Sequence, residues 1–103
     1  MSMSITQFLY LRTAINKGSL RAAAHSLGVS QPTLSVQIRK LEEELNVVLL
    51  SRSAGGVTPT DEARQLVPFI DVVATAQEAL ERRAGELKSP SRVSAPERSP
   101  SSP

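Results

Sequence analysis

Apolar residues recur along this chain at helical spacing in several runs, and each run is bounded by residues that start or stop a helix. Ile5, Phe8, Leu11 and Ile15 fall on one face, preceded by Ser4 and Thr6, either of which can cap a helix that ends near Asn16. Packing support for the segments that follow is the preferred role of this first helix. Ser19 then offers a cap for a short helix Leu20–Leu27, and Gly28 supplies the left-handed residue that commonly closes one. Ala22, Ala23 and Ala24 within it are small enough to let helix backbones approach closely. After the single bridging residue Val29, Ser30 is the next cap and Pro32 sits in the first turn, where its missing N–H costs nothing. The helix it opens carries Leu34, Ile38, Leu41 and Leu45 as one stripe and ends at Asn46.

Two capped helices joined by so tight a turn have the layout of a helix-turn-helix. The N-terminal turn and the polar face of the second helix carry Gln31, Thr33, Ser35, Val36, Gln37, Arg39 and Lys40, side chains suited to reading DNA. Val47 to Arg52, short and rich in β-branched and aliphatic residues, predicts a strand, with a turn at Gly55-Gly56 and a return through Val57-Thr58. Thr60 followed by Asp61 and Glu62 predicts the start of a long helix reaching about Leu87, roughly 40 Å at 1.5 Å per residue. Leu66, Ile70, Val73, Gln77, Leu80, Ala84 and Leu87 along it alternate steps of four and three, the spacing of a coiled-coil seam, and Pro68 predicts a bend. The same stripe could simply pack on its own domain. Dimerisation through Leu66, Ile70, Val73 and Leu80 is the favoured role, because so long a helix overhangs so small a domain.

Composition narrows the function. The 103 residues allow one small domain. There is no cysteine and only one histidine, so neither a disulfide framework nor a metal site is expected, and no cofactor is implied. With no charged-then-apolar leader and no apolar run of membrane-spanning length, a cytoplasmic protein is the expectation. The net charge of +2 conceals an asymmetry: Arg12, Lys17, Arg21, Arg39 and Lys40 precede the first acid, Glu42. Positive charge thus gathers around the two short helices, as attraction to phosphate requires. His25 has no nucleophile or acid at motif spacing, no paired carboxylates or phosphate loop occur, and an enzyme is not expected. From Ser89 the chain is Ser, Pro and charge, a composition that predicts disorder over 89–103.

The run Val29-Ser30-Gln31-Pro32-Thr33-Leu34-Ser35, with Gln37-Ile38, Leu41-Glu42-Glu43-Glu44-Leu45, Leu49 and Arg52, resembles the LysR-type transcriptional regulators. The resemblance extends over roughly residues 3–87 and implies a mainly α fold. In it, a winged helix-turn-helix of three helices and a short β-hairpin over 1–59 precedes a linker and dimerisation helix over 60–88 and the disordered tail. It implies a sequence-specific DNA-binding transcriptional regulator, associated with the nucleoid when bound, that inserts Gln31 to Leu45 into the major groove as a homodimer. Ser30, Gln31, Pro32, Thr33, Ser35, Val36 and Gln37 would then lie at the DNA, with Arg39, Lys40, Arg52 and Arg21 neutralising phosphates. Gln31 and Gln37 could meet adenine edges or phosphate. Val36, where relatives carry a larger or basic residue, would meet a thymine methyl. The wing tip Ser53-Ala54-Gly55-Gly56 lacks the basic residues common in the family, leaving Arg52 as the main charge there. Nothing after Ser89 resembles the α/β effector domain of family members, so no small-molecule effector is expected for this chain. The alternative is a short interaction subunit that heterodimerises with a full-length relative and modulates it.

Overall fold

The computed structural model describes residues 3–88, so the expectation of disorder over 89–103 lies outside the described residues. Four helices and one hairpin follow in the order α1 (Ile5–Lys17), α2 (Leu20–Leu27), α3 (Gln31–Leu45), β1 (Leu50–Ser53), β2 (Gly56–Pro59) and α4 (Asp61–Leu87). Each helix begins where a hydroxyl can accept one of the N–H groups its first turn leaves unpaired. Ser4 accepts from Gln7, Ser19 from Ala22, Ser30 from Thr33 and Thr60 from Ala63. Gly18, Gly28 and Asn46 end the first three helices in the left-handed conformation.

Leu11, Leu34, Ile38, Leu41 and Leu49 are the largest fully buried side chains, and Ala14, Ala23 and Ala24 fill the close approaches between α1, α2 and α3. Ala63 and Ile70 join this core from α4, so the first three turns of the long helix belong to the same packed body as the helix-turn-helix. Arg12 and Asp71, 2.9 Å apart, add a half-exposed ion pair between α1 and α4, worth less than about 1 kcal/mol. α4 runs through Pro68 without interruption, although the missing N–H leaves the Arg64 carbonyl without its usual helical donor. Among the described residues, no helix is long and apolar enough to cross a membrane.

The hairpin departs from expectation at two points. The strand starts at Leu50 rather than Val47, because the hydrogen bonds of the intervening residues go elsewhere. Val47 N–H closes α3 on the Glu42 carbonyl, and the Val48 and Leu49 carbonyls accept from the Thr60 hydroxyl (2.7 Å) and N–H (3.0 Å). The Leu49 and Leu50 N–H groups both donate to one oxygen of the Glu42 carboxylate, at 2.8 and 3.2 Å. The turn also falls one residue early, at Ala54-Gly55, since Ser53 pairs with Gly56 and Arg52 with Val57. Positive φ belongs to Gly56 (126°), where a Cβ would stand 2.3 Å from the Gly18 carbonyl oxygen. That oxygen accepts from Val57 N–H at 3.0 Å. The second strand therefore docks onto the turn between α1 and α2.

Candidate nucleic-acid interface

Burial of Leu34, Ile38 and Leu41 fixes the rotation of α3 and decides what it shows to solvent. Gln31, Pro32, Thr33, Val36, Arg39 and Lys40 are exposed, and Ser35 and Gln37 are half-buried. Val36 keeps 48% of its surface. Ser30 is committed to the helix start: its hydroxyl accepts the Thr33 N–H at 3.2 Å and donates to the Thr33 hydroxyl oxygen at 2.8 Å.

Arg52 and Arg21 come from separate elements to the same place. With Ser19, Gln31, Ser53 and Gly56 they line a cleft of about 200 Å³ between the start of α2, the start of α3 and the hairpin. The guanidinium of Arg52 does not hang free from the hairpin. Its Nη1 donates to the Ser35 hydroxyl at 3.0 Å, and its Nη2 is buried without a hydrogen-bond partner among the described residues. Ser35 and Arg52, both expected as separate DNA contacts, thus form a strut between α3 and the hairpin. His25 is exposed on α2 and shares a shallow groove with Lys17 and Arg21.

Gln37 is likewise tied. Its Oε1 accepts from Nε2 of Gln7 at 3.2 Å, and Gln7, 7% exposed, is the one buried polar residue among the described residues. Gln37 was expected at the DNA but Gln7 was not singled out from sequence, although Ser4-x-x-Gln7 carries the spacing of a capping box that would have marked Gln7 as a fixed residue. Glu42 was also missed, because nothing in its neighbourhood along the chain announces the Leu49 and Leu50 N–H groups it receives.

On α4 the predicted seam splits between two surroundings. Ile70 is buried (4%), Leu66 packs against the core, and Ala74 is buried, so this edge of the stripe faces the chain's own domain. Val73 is 37% exposed and Leu80 69%, and Phe69 (69%) and Val72 (68%), which the sequence reading passed over, are exposed with them. Phe8, Leu66, Phe69, Ile70 and Val73 line an apolar cleft of about 170 Å³ between α1 and α4. Of the predicted stripe, Val73, Leu80 and Leu87 stay exposed while Leu66 and Ile70 turn to the core, and the exposed apolar surface of α4 extends to Phe69 and Val72.

Comparison with known proteins agrees with this architecture. The family model described as bacterial regulatory helix-turn-helix protein, LysR family, matches residues 5–64. A putative HTH-type transcriptional regulator, PtxE of Stutzerimonas stutzeri, is 41% identical over 70 residues, covering 64% of this chain and 36% of that protein. The HTH-type transcriptional regulator CbbR of Xanthobacter flavus is 32% identical over 91 residues, covering 88% of this chain and 27% of that protein. The chain thus spans about a third of the length of these relatives. Among solved structures, that of a CbnR_DBD–DNA complex superposes with a TM-score of 0.71 at 30% identity, covering 84% of this chain and all of the other. Matched over more than half its length, and with its helices and hairpin in the same arrangement, this chain belongs to the LysR family of bacterial regulatory helix-turn-helix proteins.

Proposed function

We propose that this chain is a sequence-specific DNA-binding element of a transcriptional regulator, which inserts the N-terminal half of α3 into the major groove and works as a dimer paired through α4. The observation that carries the reading is the exposed face Gln31, Thr33, Val36 and Lys40 on a helix whose other side is core, flanked by Arg21 and Arg52 from two further elements. The likeness to a solved structure of a DNA complex supports it.

In this reading Gln31 and Gln37 hydrogen-bond base edges and Val36 packs on a thymine methyl, while Thr33 contacts a phosphate or base edge. Arg21, Arg39, Lys40 and Arg52 neutralise phosphates, and the N–H groups of Ser30 and Gln31 at the start of α3 favour a further phosphate, Pro32 having none to offer and that of Thr33 being taken by the Ser30 hydroxyl. Ser35 contributes by holding Arg52 in place. Residues 60–88 act as the pairing helix, with Val73 and Leu80 at the seam and Leu66 and Ile70 bracing it from within the protomer.

Selection of bound sequences from a random duplex pool by the purified chain tests this. A two-fold symmetric enriched site is the expected result. A chain that enriches nothing yet associates tightly with a longer relative would overturn the DNA-reading role in favour of the interaction subunit.

A further inference from the structure

We infer that Gln7, on α1 and outside the face that meets DNA, is a positioning residue that sets which atom of Gln37 is offered to a base; the inference rests on the proposed docking of α3 in the major groove. A primary amide is ambiguous by itself, one end accepting and the other donating, and an exposed glutamine can present either. Here the ambiguity is removed in two steps. The Ser4 N–H, one of the donors left over at the start of α1, points at Gln7 and is 3.1 Å from its Oε1. Only the oxygen end of Gln7 can satisfy it, so the Nε2 end of the same buried amide must face the other way. That end meets Gln37 at 3.2 Å, and only an oxygen can receive it. Gln37 is thereby held with Oε1 inward and Nε2 outward. The chain of constraint runs from the first helix cap to the reading helix through one side chain that is 7% exposed.

The outward Nε2 is a donor, so it matches base edges that accept: O6 or N7 of guanine, N7 of adenine, O4 of thymine. The same orientation withdraws Gln37 from the two-point pairing with adenine, which needs both ends of the amide on the base. Replacing Gln7 with glutamate reverses the logic while keeping the fold. One carboxylate oxygen still accepts the Ser4 N–H, completing an ordinary Ser-x-x-Glu capping box. The other oxygen now accepts, so Gln37 must turn its Nε2 inward and present Oε1 outward, matching the exocyclic amines of cytosine or adenine.

The experiment is selection from a random duplex pool with the full chain, Gln7→Glu, Gln37→Ala and the double variant. Gln37→Ala should flatten the preference at one base pair per half-site. Gln7→Glu should move the preference at that same pair from an accepting to a donating edge, by about tenfold, and leave other positions as they were. The double variant should match Gln37→Ala there. A merely structural role for Gln7 would weaken all sequences alike and shift no base. Retention of the parent's preference by Gln7→Glu, or a shift that persists in the Gln37→Ala background, would overturn the inference while leaving the DNA-reading role intact; a wild-type chain that selects no sequence removes both. Should Gln7→Glu fail to fold, the side-chain amide protons of the unaltered chain decide by NMR. Those of Gln7 should exchange slowly with solvent and those of Gln37 fast, and the opposite order overturns the assignment.

Discussion

Leu80→Asp and Ile70→Asp, ten residues apart on one helix, should do different things, and the difference isolates the pairing role of α4. Leu80 is 69% exposed in the single chain, so an aspartate there keeps its hydration and costs only the helix-propensity difference, about 0.5 kcal/mol. If pairing covers that position, the aspartate is buried without a partner at the seam. A cost of about 3 kcal/mol, the low end for an uncompensated buried charge, weakens association by about 150-fold for one aspartate, and by more in the dimer, where both protomers carry it. Ile70 is 4% exposed and sits in the core of its own protomer, so the same charge there acts on the domain itself. About 3–5 kcal/mol is then lost from a domain whose total stability is on the order of 5–10 kcal/mol. Sedimentation and far-UV circular dichroism separate the outcomes. Leu80→Asp should sediment as a folded monomer and lose affinity for a duplex with two half-sites far more than for one half-site, because pairing supplies an effective concentration for the second contact. Ile70→Asp should lose helical signal on mild heating. A Leu80→Asp chain that still sediments as a dimer at the wild-type concentration range would refute the assignment of this face.

Three further outcomes are expected. Gly56→Ala should cost about 2–4 kcal/mol, since its Cβ would meet the Gly18 carbonyl at 2.3 Å in a backbone conformation that side chains rarely adopt, whereas Gly28→Ala, with open space around it, should cost about 1 kcal/mol; thermal melts showing equal losses would contradict the docking of the hairpin. Glu42→Ala leaves the Leu49 and Leu50 N–H groups without their acceptor and should lower stability by about 2–4 kcal/mol, or roughly 10–25 °C in Tm, with Glu42→Gln retaining part of the loss; an unchanged melt would remove this clamp from the account. Arg52→Ala should reduce the slope of log affinity against log salt by about 1 for duplex binding, and an unchanged slope would make Arg52 a strut to Ser35 and nothing more.

The parts of the fold legible in the sequence are those decided within a few residues. Ser19, Ser30 and Thr60 cap the helices they were expected to cap, Gly28 and Asn46 end them, and the stripe Leu34, Ile38, Leu41 orients α3. Where the outcome depends on a partner distant along the chain, the sequence is silent. Val47 and Val48 have strand-forming side chains, yet Glu42 and Thr60 take the hydrogen bonds around them and delay the strand. On α4 the periodicity marks an apolar stripe without saying which body it faces. Ile70 and Ala74 turn to the chain's own core, and Phe69, beside Pro68 and off the counted register, emerges on the outer side. At the interface the residue types were legible but their commitments were not: Ser35 and Gln37 look alike as free polar side chains, and each is held by a residue from another element.

The hairpin is fastened at separate points to different helices, by Val57 to the turn after α1, by Glu42 to the end of α3 and by Arg52 to its middle. A wing so fastened has little freedom to swing, and it travels with the reading helix as one caliper of fixed opening. Under the docking proposed above, a duplex whose groove width or spacing differs from that opening would have to bend or narrow to fit. Operators would then be distinguished partly by the cost of that deformation, at base pairs no side chain touches, with flexible pyrimidine–purine steps favoured where the caliper demands a bend.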